Sequence, residues 1–308
     1  MTKAGGRIAG IAIAVAAACA LMPAPASAGL ARYGDLDLAY AQTTNSGGPP
    51  PPLRNEHTTY SPCGASSSAG LWLLSGGARI YDSDPLVTPF ELGQAWIVSL
   101  YPAGTFPPPG PDAYTQVFDN RSANGSLSRG DGAVCGDVNG RSYVSDAKRT
   151  AKRARTTVKA RCPGSKHVLG GGGLASGPFL SQRTVAGAPF DSGDAGRKPD
   201  DGWRFTVDNL SNRKRKATAH AICAPVGGLS YASKRLKAPK RNRKHAEASC
   251  PSGEFVIGGG VTHNGKIGKV SLVETYFDAE TTHDHWYVDI DNLSRKRFRG
   301  RVHAICHS

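Results

Sequence analysis

The sequence predicts an all-β protein made of three tandem, disulfide-stapled modules of the β-sandwich, jelly-roll-like kind. Three observations predict it. A set of landmark residues recurs three times in the same order, apolar residues alternate with period two, and two cysteines fall in each copy. Period two marks strands with one buried face, because successive side chains on a strand point to opposite sides. No stretch carries a sustained helical period with caps.

The elements follow in chain order. Residues 1–28 have the composition of an export signal. Lys3 and Arg7 give a basic start, residues 8–21 are almost unbroken apolar, and Ala26-Ser27-Ala28 offers the small residues of a cleavage site. Cys19 lies in the apolar run without the leading Leu of a lipoprotein signal. The run is shorter than the ~20 residues that cross a bilayer comfortably. No later stretch is apolar enough for a membrane span, so the remainder is expected to be secreted. Residues 29–57 read as a polar lead-in whose run Pro49-Pro50-Pro51-Pro52 is a stiff, extended spacer.

Three modules are expected next, over residues 58–140, 141–226 and 227–308. They align on Asp119-Asn120-Arg121-Ser122, Asp208-Asn209-Leu210-Ser211 and Asp291-Asn292-Leu293-Ser294. An aromatic precedes each Asn by six residues (Tyr114, Trp203, Trp286), and a cysteine follows it (Cys135, Cys223, Cys306). Upstream lies another cysteine (Cys63, Cys162, Cys250), then an apolar pair and a glycine cluster: Gly76-Gly77, Gly170-Gly171-Gly172 and Gly258-Gly259-Gly260. Trp203, Phe205, Val207 and Asn209 alternate with polar residues, as do Trp286, Val288, Ile290 and Asn292. Six cysteines allow fifteen connectivities. The repeat alone selects Cys63–Cys135, Cys162–Cys223 and Cys250–Cys306, each worth about 4 kcal/mol in the chain-entropy account. A single pseudo-threefold barrel is the alternative architecture. Tandem modules are preferred to it because each copy holds its own cysteine pair.

The order Cys-Pro-x-Gly, Gly-Gly-Gly, Trp-x-Val, Asn, Ala-Ile-Cys resembles a module that recurs in secreted bacterial proteins without assigned activity. Cys162-Pro163-Gly164 to Cys223 and Cys250-Pro251-Ser252-Gly253 to Cys306 carry the resemblance. In the first copy Pro62 precedes its cysteine, and the match is poor. The resemblance implies a β-rich extracellular module of a bacterial secreted protein and transfers no functional residues.

Charge supplies the functional lead. Residues 29–140 hold five basic and ten acidic residues, net −5, whereas residues 141–308 hold 31 basic and 14 acidic, net +17. The basic residues recur at matching places in copies two and three. In copy two they are Lys148, Arg149, Lys152, Arg153 and Arg155, then Arg213, Lys214, Arg215 and Lys216. In copy three they are Lys234, Arg235, Lys240, Arg241, Arg243 and Lys244, then Arg295, Lys296 and Arg297. Such loops can displace counterions from a polyanion, or can keep strand edges from aggregating. The expected function is non-enzymatic binding of an anionic surface polymer or glycan. No aromatic ladder suited to stacking nucleic acid interleaves the charges, so no specific nucleic acid is expected. A structural envelope component is the alternative, and an extracellular hydrolase the second.

Other candidates read as structure. The glycine clusters precede turns and not helices, so they predict bulges or close backbone approach, not phosphate cradles. His283 and His285 could reach a metal only with His263 or His245, and copy two has no such set, so no metal or cofactor is expected. Arg129-Gly130-Asp131 is an adhesion tripeptide placed by the patterning in a loop. Asn120, Asn209 and Asn292 read as turn-forming residues at strand ends. Neither a nucleophile elbow nor a P-loop occurs. The oligomeric state is open.

Overall fold

The computed structural model describes residues 30–33, 36–45, 56–63, 71–82, 95–103, 113–120, 127–178, 181–193, 198–277 and 282–308. The expected export signal over residues 1–28, Pro49–Pro52 and the proline-rich stretch 106–111 lie outside them. The described residues contain strands and no helix. None of their segments is therefore a helix long and apolar enough to cross a membrane.

A short strand β1 (Leu30–Tyr33) leads in. The first copy then supplies β2 (Leu36–Asn45), β3 (Glu56–Pro62), β4 (Trp72–Asp82), β5 (Ala95–Ala103), β6 (Ala113–Asn120) and β7 (Leu127–Gly136). The second copy supplies β8 (Ser142–Thr150), β9 (Arg155–Arg161), β10 (His167–Ser176), β11 (Gln182–Phe190), β12 (Gly202–Asn209) and β13 (Arg215–Ala224). The third supplies β14 (Leu229–Ala238), β15 (Asn242–Ser249), β16 (Phe255–His263), β17 (Val270–Phe277), β18 (His285–Asn292) and β19 (Phe298–His307). Two readings of the first copy change. Leu36–Asn45, read as lead-in, pairs with β7 as β8 pairs with β13 and β14 with β19, so it is the first strand of its copy. Arg129-Gly130-Asp131 is strand, not loop, and is flanked by β2 and β4.

Every copy winds the same way. Its first, sixth and third strands form one layer and its second, fifth and fourth the other, as in β8-β13-β10 and β9-β12-β11. This is the two-layer, jelly-roll-like unit that the alternation predicts. The three bridges form within copies, with Cα separations of 5.6, 5.6 and 5.7 Å. Each joins the two layers of its own copy. Cys162, for example, follows β9 in one sheet and meets Cys223 on β13 in another.

The layers do not stop at the copy boundary. β4 pairs with β17, β10 with β5 and β16 with β11, so each full sheet joins half of one copy to half of another. The joints run from copy one to two, two to three and three back to one, a closed cycle. In-copy bridges are compatible with this because they constrain how the layers stack, not what pairs with their free edges.

The glycine clusters make the cycle possible, and each position has its own task. At the first position, a Cβ on Gly170 would lie 2.5 Å from the Leu74 carbonyl oxygen, and one on Gly258 would lie 2.3 Å from that of Leu169. The matching Ser75 closes the ring by donating its hydroxyl to the Ile257 carbonyl. Bulges at Leu73/Ser75, Val168/Gly170 and Val256/Gly258 bring these three backbones together. At the second position, Gly76, Gly171 and Gly259 leave room for Tyr114, Trp203 and Trp286 of their own copies. At the third, Gly77, Gly172 and Gly260 face the backbone of Thr275, Leu100 and Gly187, each from a different copy. The close backbone approach expected of the glycines is what the structure shows.

Candidate anion-binding cleft

The turn that carries the basic residues is built around a buried asparagine. Asn209 Nδ2 donates to the carbonyls of Ala151 (2.8 Å) and Arg213 (2.7 Å), and its Oδ1 accepts from the N–H (3.0 Å) and hydroxyl (2.8 Å) of Ser211. Asn292 repeats this with Pro239, Lys296 and Ser294. One amide therefore clamps two loops, the one between the first and second strands and the one between the fifth and sixth. The N–H groups of Arg153 and Arg241 add the backbone bonds to Ser211 and Ser294, at 3.1 and 3.0 Å. Both arginines take left-handed backbone angles, φ 49° and 47°, a region that disfavours side chains with a Cβ. The asparagines thus act as the turn-formers that the repeat suggested.

The expected basic residues divide into three groups. Lys148 and Arg149 on β8, Lys234 and Arg235 on β14, and Lys244 on β15 lie on the outermost strands of their sheets. Cations there discourage edge-to-edge pairing; Lys234 also pairs with Glu247 at 3.3 Å. Arg155 and Arg243 are not free to meet a ligand. Each makes a two-pronged pair with an aspartate that is fully buried, Arg155 with Asp208 and Arg243 with Asp291, at 2.7 and 3.0 Å in both cases. Arg215 is half-buried and donates to the Ser211 hydroxyl at 3.2 Å. The third group, Lys152, Arg153, Arg213, Lys214, Lys216, Lys240, Arg241, Arg295, Lys296 and Arg297, is exposed. All of it except Lys216, on β13, projects from the clamped loops.

In copy three these loops enclose a cavity. A cleft of about 720 Å³ is lined by Arg241, Lys266, Lys269, Arg295, Lys296 and Arg297, together with Asn264, Gly265, Leu293, Ser294 and the ring of Phe298. No acidic side chain lines it. Its walls are tied together. Leu293 N donates to Lys269 O at 2.9 Å, Asn264 N to Arg299 O at 3.0 Å, and Arg299 N to Asn264 Oδ1 at 2.9 Å. Copy two braces the wall from beneath, since Arg155 Nη1 donates to Gly265 O at 2.6 Å and Gly268 N donates to Asp208 Oδ2 at 2.8 Å. In copy two the matching loop holds Pro178 and Ser181 where copy three has Lys266 and Lys269, as its parallel hydrogen bonds show.

Sequence reasoning missed Lys266 and Lys269 because they stand singly, outside any basic run. Aligning the two loops on their shared hydrogen-bonding turn would have found them. It also assigned Arg155 and Arg243 to binding, although Asp208 and Asp291, polar positions of the alternation that the fold buries, are the acids that claim them. Breaking the buried pair tests that correction. Asp208→Ala is expected to lower the unfolding free energy by about 3 kcal/mol, because it strands Arg155 with its charge half-buried. Denaturant titration of the two proteins measures the difference.

The histidine set that the sequence offers, and from which no metal site is expected, is not gathered. His285 lies against Asp284 and stacks on Tyr287 at 5.9 Å, whereas His263 is packed against Phe298 at 5.1 Å. Among the described residues, the grouped metal-ligand side chains are His245, Glu274 and Asp289. No protein-family model matches the chain, and no curated protein matches it.

Proposed function

We propose that this is an exported, non-enzymatic protein that binds an anionic surface polymer or glycan in the basic cleft of its third copy. One observation carries the proposal: six cationic side chains and no acid line a single cavity whose loops are held by backbone and amide hydrogen bonds. Loops already ordered lose little entropy on binding, and clustered cations release counterions from a polyanion. The basic turn of copy two adjoins the cleft through Leu210, which lies 3.2 Å from where a Cβ on Gly268 would sit. A long polymer could therefore continue across it. Three disulfides fit an oxidising compartment outside the cell.

The test is salt elution from a sulfated polysaccharide column. The wild-type protein is expected to elute well above physiological salt, about 0.15 M. Changing Lys266, Lys269, Arg295 and Arg297 together to Glu should bring elution below that value. The same change of charge at Lys148, Arg149, Lys234 and Arg235 should leave it above. Equal shifts in the two variants would mean that net charge, not the cleft, retains the protein.

A further inference from the structure

We propose that His245, Glu274 and Asp289 form a binding site for one first-row divalent cation of the Zn²⁺ type, on the outer face of the sheet that joins copies three and one. The three residues sit on adjacent strands β15, β17 and β18, and the pairing sets them in one row: His245 opposite Asp289, and Asp289 opposite Glu274. Their ligand atoms all lie within 4.8 Å of one another, and His245 Nδ1 is 2.8 Å from Asp289 Oδ1. A tetrahedral zinc with bonds of about 2.0–2.1 Å needs its ligand atoms about 3.3 Å apart. Small rotations of exposed His245 and half-buried Asp289 supply that spacing.

The chemistry selects the ion. One imidazole nitrogen with two carboxylates suits zinc and its first-row neighbours. Calcium prefers six to eight oxygen ligands and has no use for imidazole. Three protein ligands leave the solvent side open for water. Arg79 on β4 stands opposite Glu274, and its guanidinium lies over the Tyr276 ring at 5.0 Å. Its charge opposes a cation, but two carboxylates still leave the row net negative. The ring of His245 is steadied by Tyr287 at 5.5 Å.

The copies themselves provide the comparison. The same three register positions are Thr157, Ala186 and Thr206 in copy two and Thr58, Ser99 and Val117 in copy one. The fold therefore does not need acids or histidine there. Copy three alone places two carboxylates side by side on a half-buried sheet face. Like charges so close repel one another unless a proton or a cation lies between them.

Calorimetric titration of the full chain with ZnCl₂ near neutral pH tests the site, using protein without added histidines. One ion per chain is expected. His245→Ala, Asp289→Asn and Glu274→Gln should each weaken binding about tenfold or more. The His285→Ala protein should bind as the wild type does. Elution from the polysaccharide column should be unchanged in all four, which confirms that each variant is folded and separates this site from the cleft. The proposal is overturned if the wild-type protein takes up no zinc, if His245→Ala binds it undiminished, or if CaCl₂ binds as tightly at the same place.

Discussion

Gly172→Ala is expected to destabilise the protein by about 3 kcal/mol or more, and Gly187→Ala by no more than about 1 kcal/mol. A Cβ on Gly172 would sit 1.9 Å from the Leu100 carbonyl oxygen, 2.7 Å from its carbon and 2.8 Å from the Tyr114 hydroxyl. Two of these atoms are backbone and cannot swing away. Relief would require β5 and β10 to separate, which opens the joint between copies one and two. The ladder there is short, with Gly173 opposite Leu100, so it has little pairing to resist the strain. At Gly187 the nearest atom to an added Cβ is Trp203 Nε1 at 3.4 Å, an ordinary contact. Thermal melts should place the Gly172→Ala midpoint about 10 °C below that of the wild type. Equal midpoints for the two variants would show that the copies do not interlock through this glycine.

Mild acid is expected to unfold the protein. Burial holds the imidazoles of His220, His263 and His303 down to about 4, from an ordinary value of 6.5. Nearby Arg155 adds to this at His263, and Arg204 and Arg301 add to it at His303. The unfolded chain takes up these protons from pH 6.5 downwards, whereas the folded chain does so only near pH 4. Stability is therefore complete above 6.5 and is lost as the pH falls through that window. Each histidine contributes up to about 3 kcal/mol of the loss. Glu274 acts in the opposite sense in the metal-free protein. Burial, and then the charge of Asp289, pushes its carboxyl up to about 7, which offsets about one of the three histidines. The net loss approaches the whole stability of a typical folded protein. Denaturant midpoints measured at several pH values between 7.5 and 4 check this. His220→Gln combined with His303→Gln should flatten the curve, and an unchanged slope would show that these two imidazoles are not the cause.

His220 and His303 also illustrate how the repeat hides its differences. They are the same position of the sixth strand, opposite Gly172 and Gly260. The first copy has Gly132 there, opposite Gly77. The space that its absent side chain leaves is taken by Phe277 of copy three, 2.6 Å from where a Cβ would be. A substitution in one copy is thus matched by a residue two copies away, and no alignment of the copies by themselves reveals the match.

Much of the fold was legible because its causes are local. Alternation along β12 and β18 follows from one strand having one wet face. The pairing of cysteines follows from the repeat alone, which sets one cysteine before the glycine cluster of each copy and one after its Asn-x-Ser turn. The turn at those asparagines follows from an amide that satisfies both its donors and its acceptor within a few residues and one neighbouring loop. The site was less legible. Lys266 and Lys269 become part of a basic cleft only beside Arg295 and Arg297, and Arg243 is withdrawn from the exposed cations because Asp291 lies opposite it on the next strand. Charge runs report composition, not which side of a strand a cation occupies or what stands across from it.

By itself, the order of residues determined a β-rich chain, three related copies, one bridge in each and a basic second half, since short-range spacing and side-chain alternation dictate all four. Which edges join was decided only by the folded molecule. The joints at Gly77, Gly172 and Gly260 are contacts between main chains, and a glycine offers no side chain whose shape or charge could announce its distant partner.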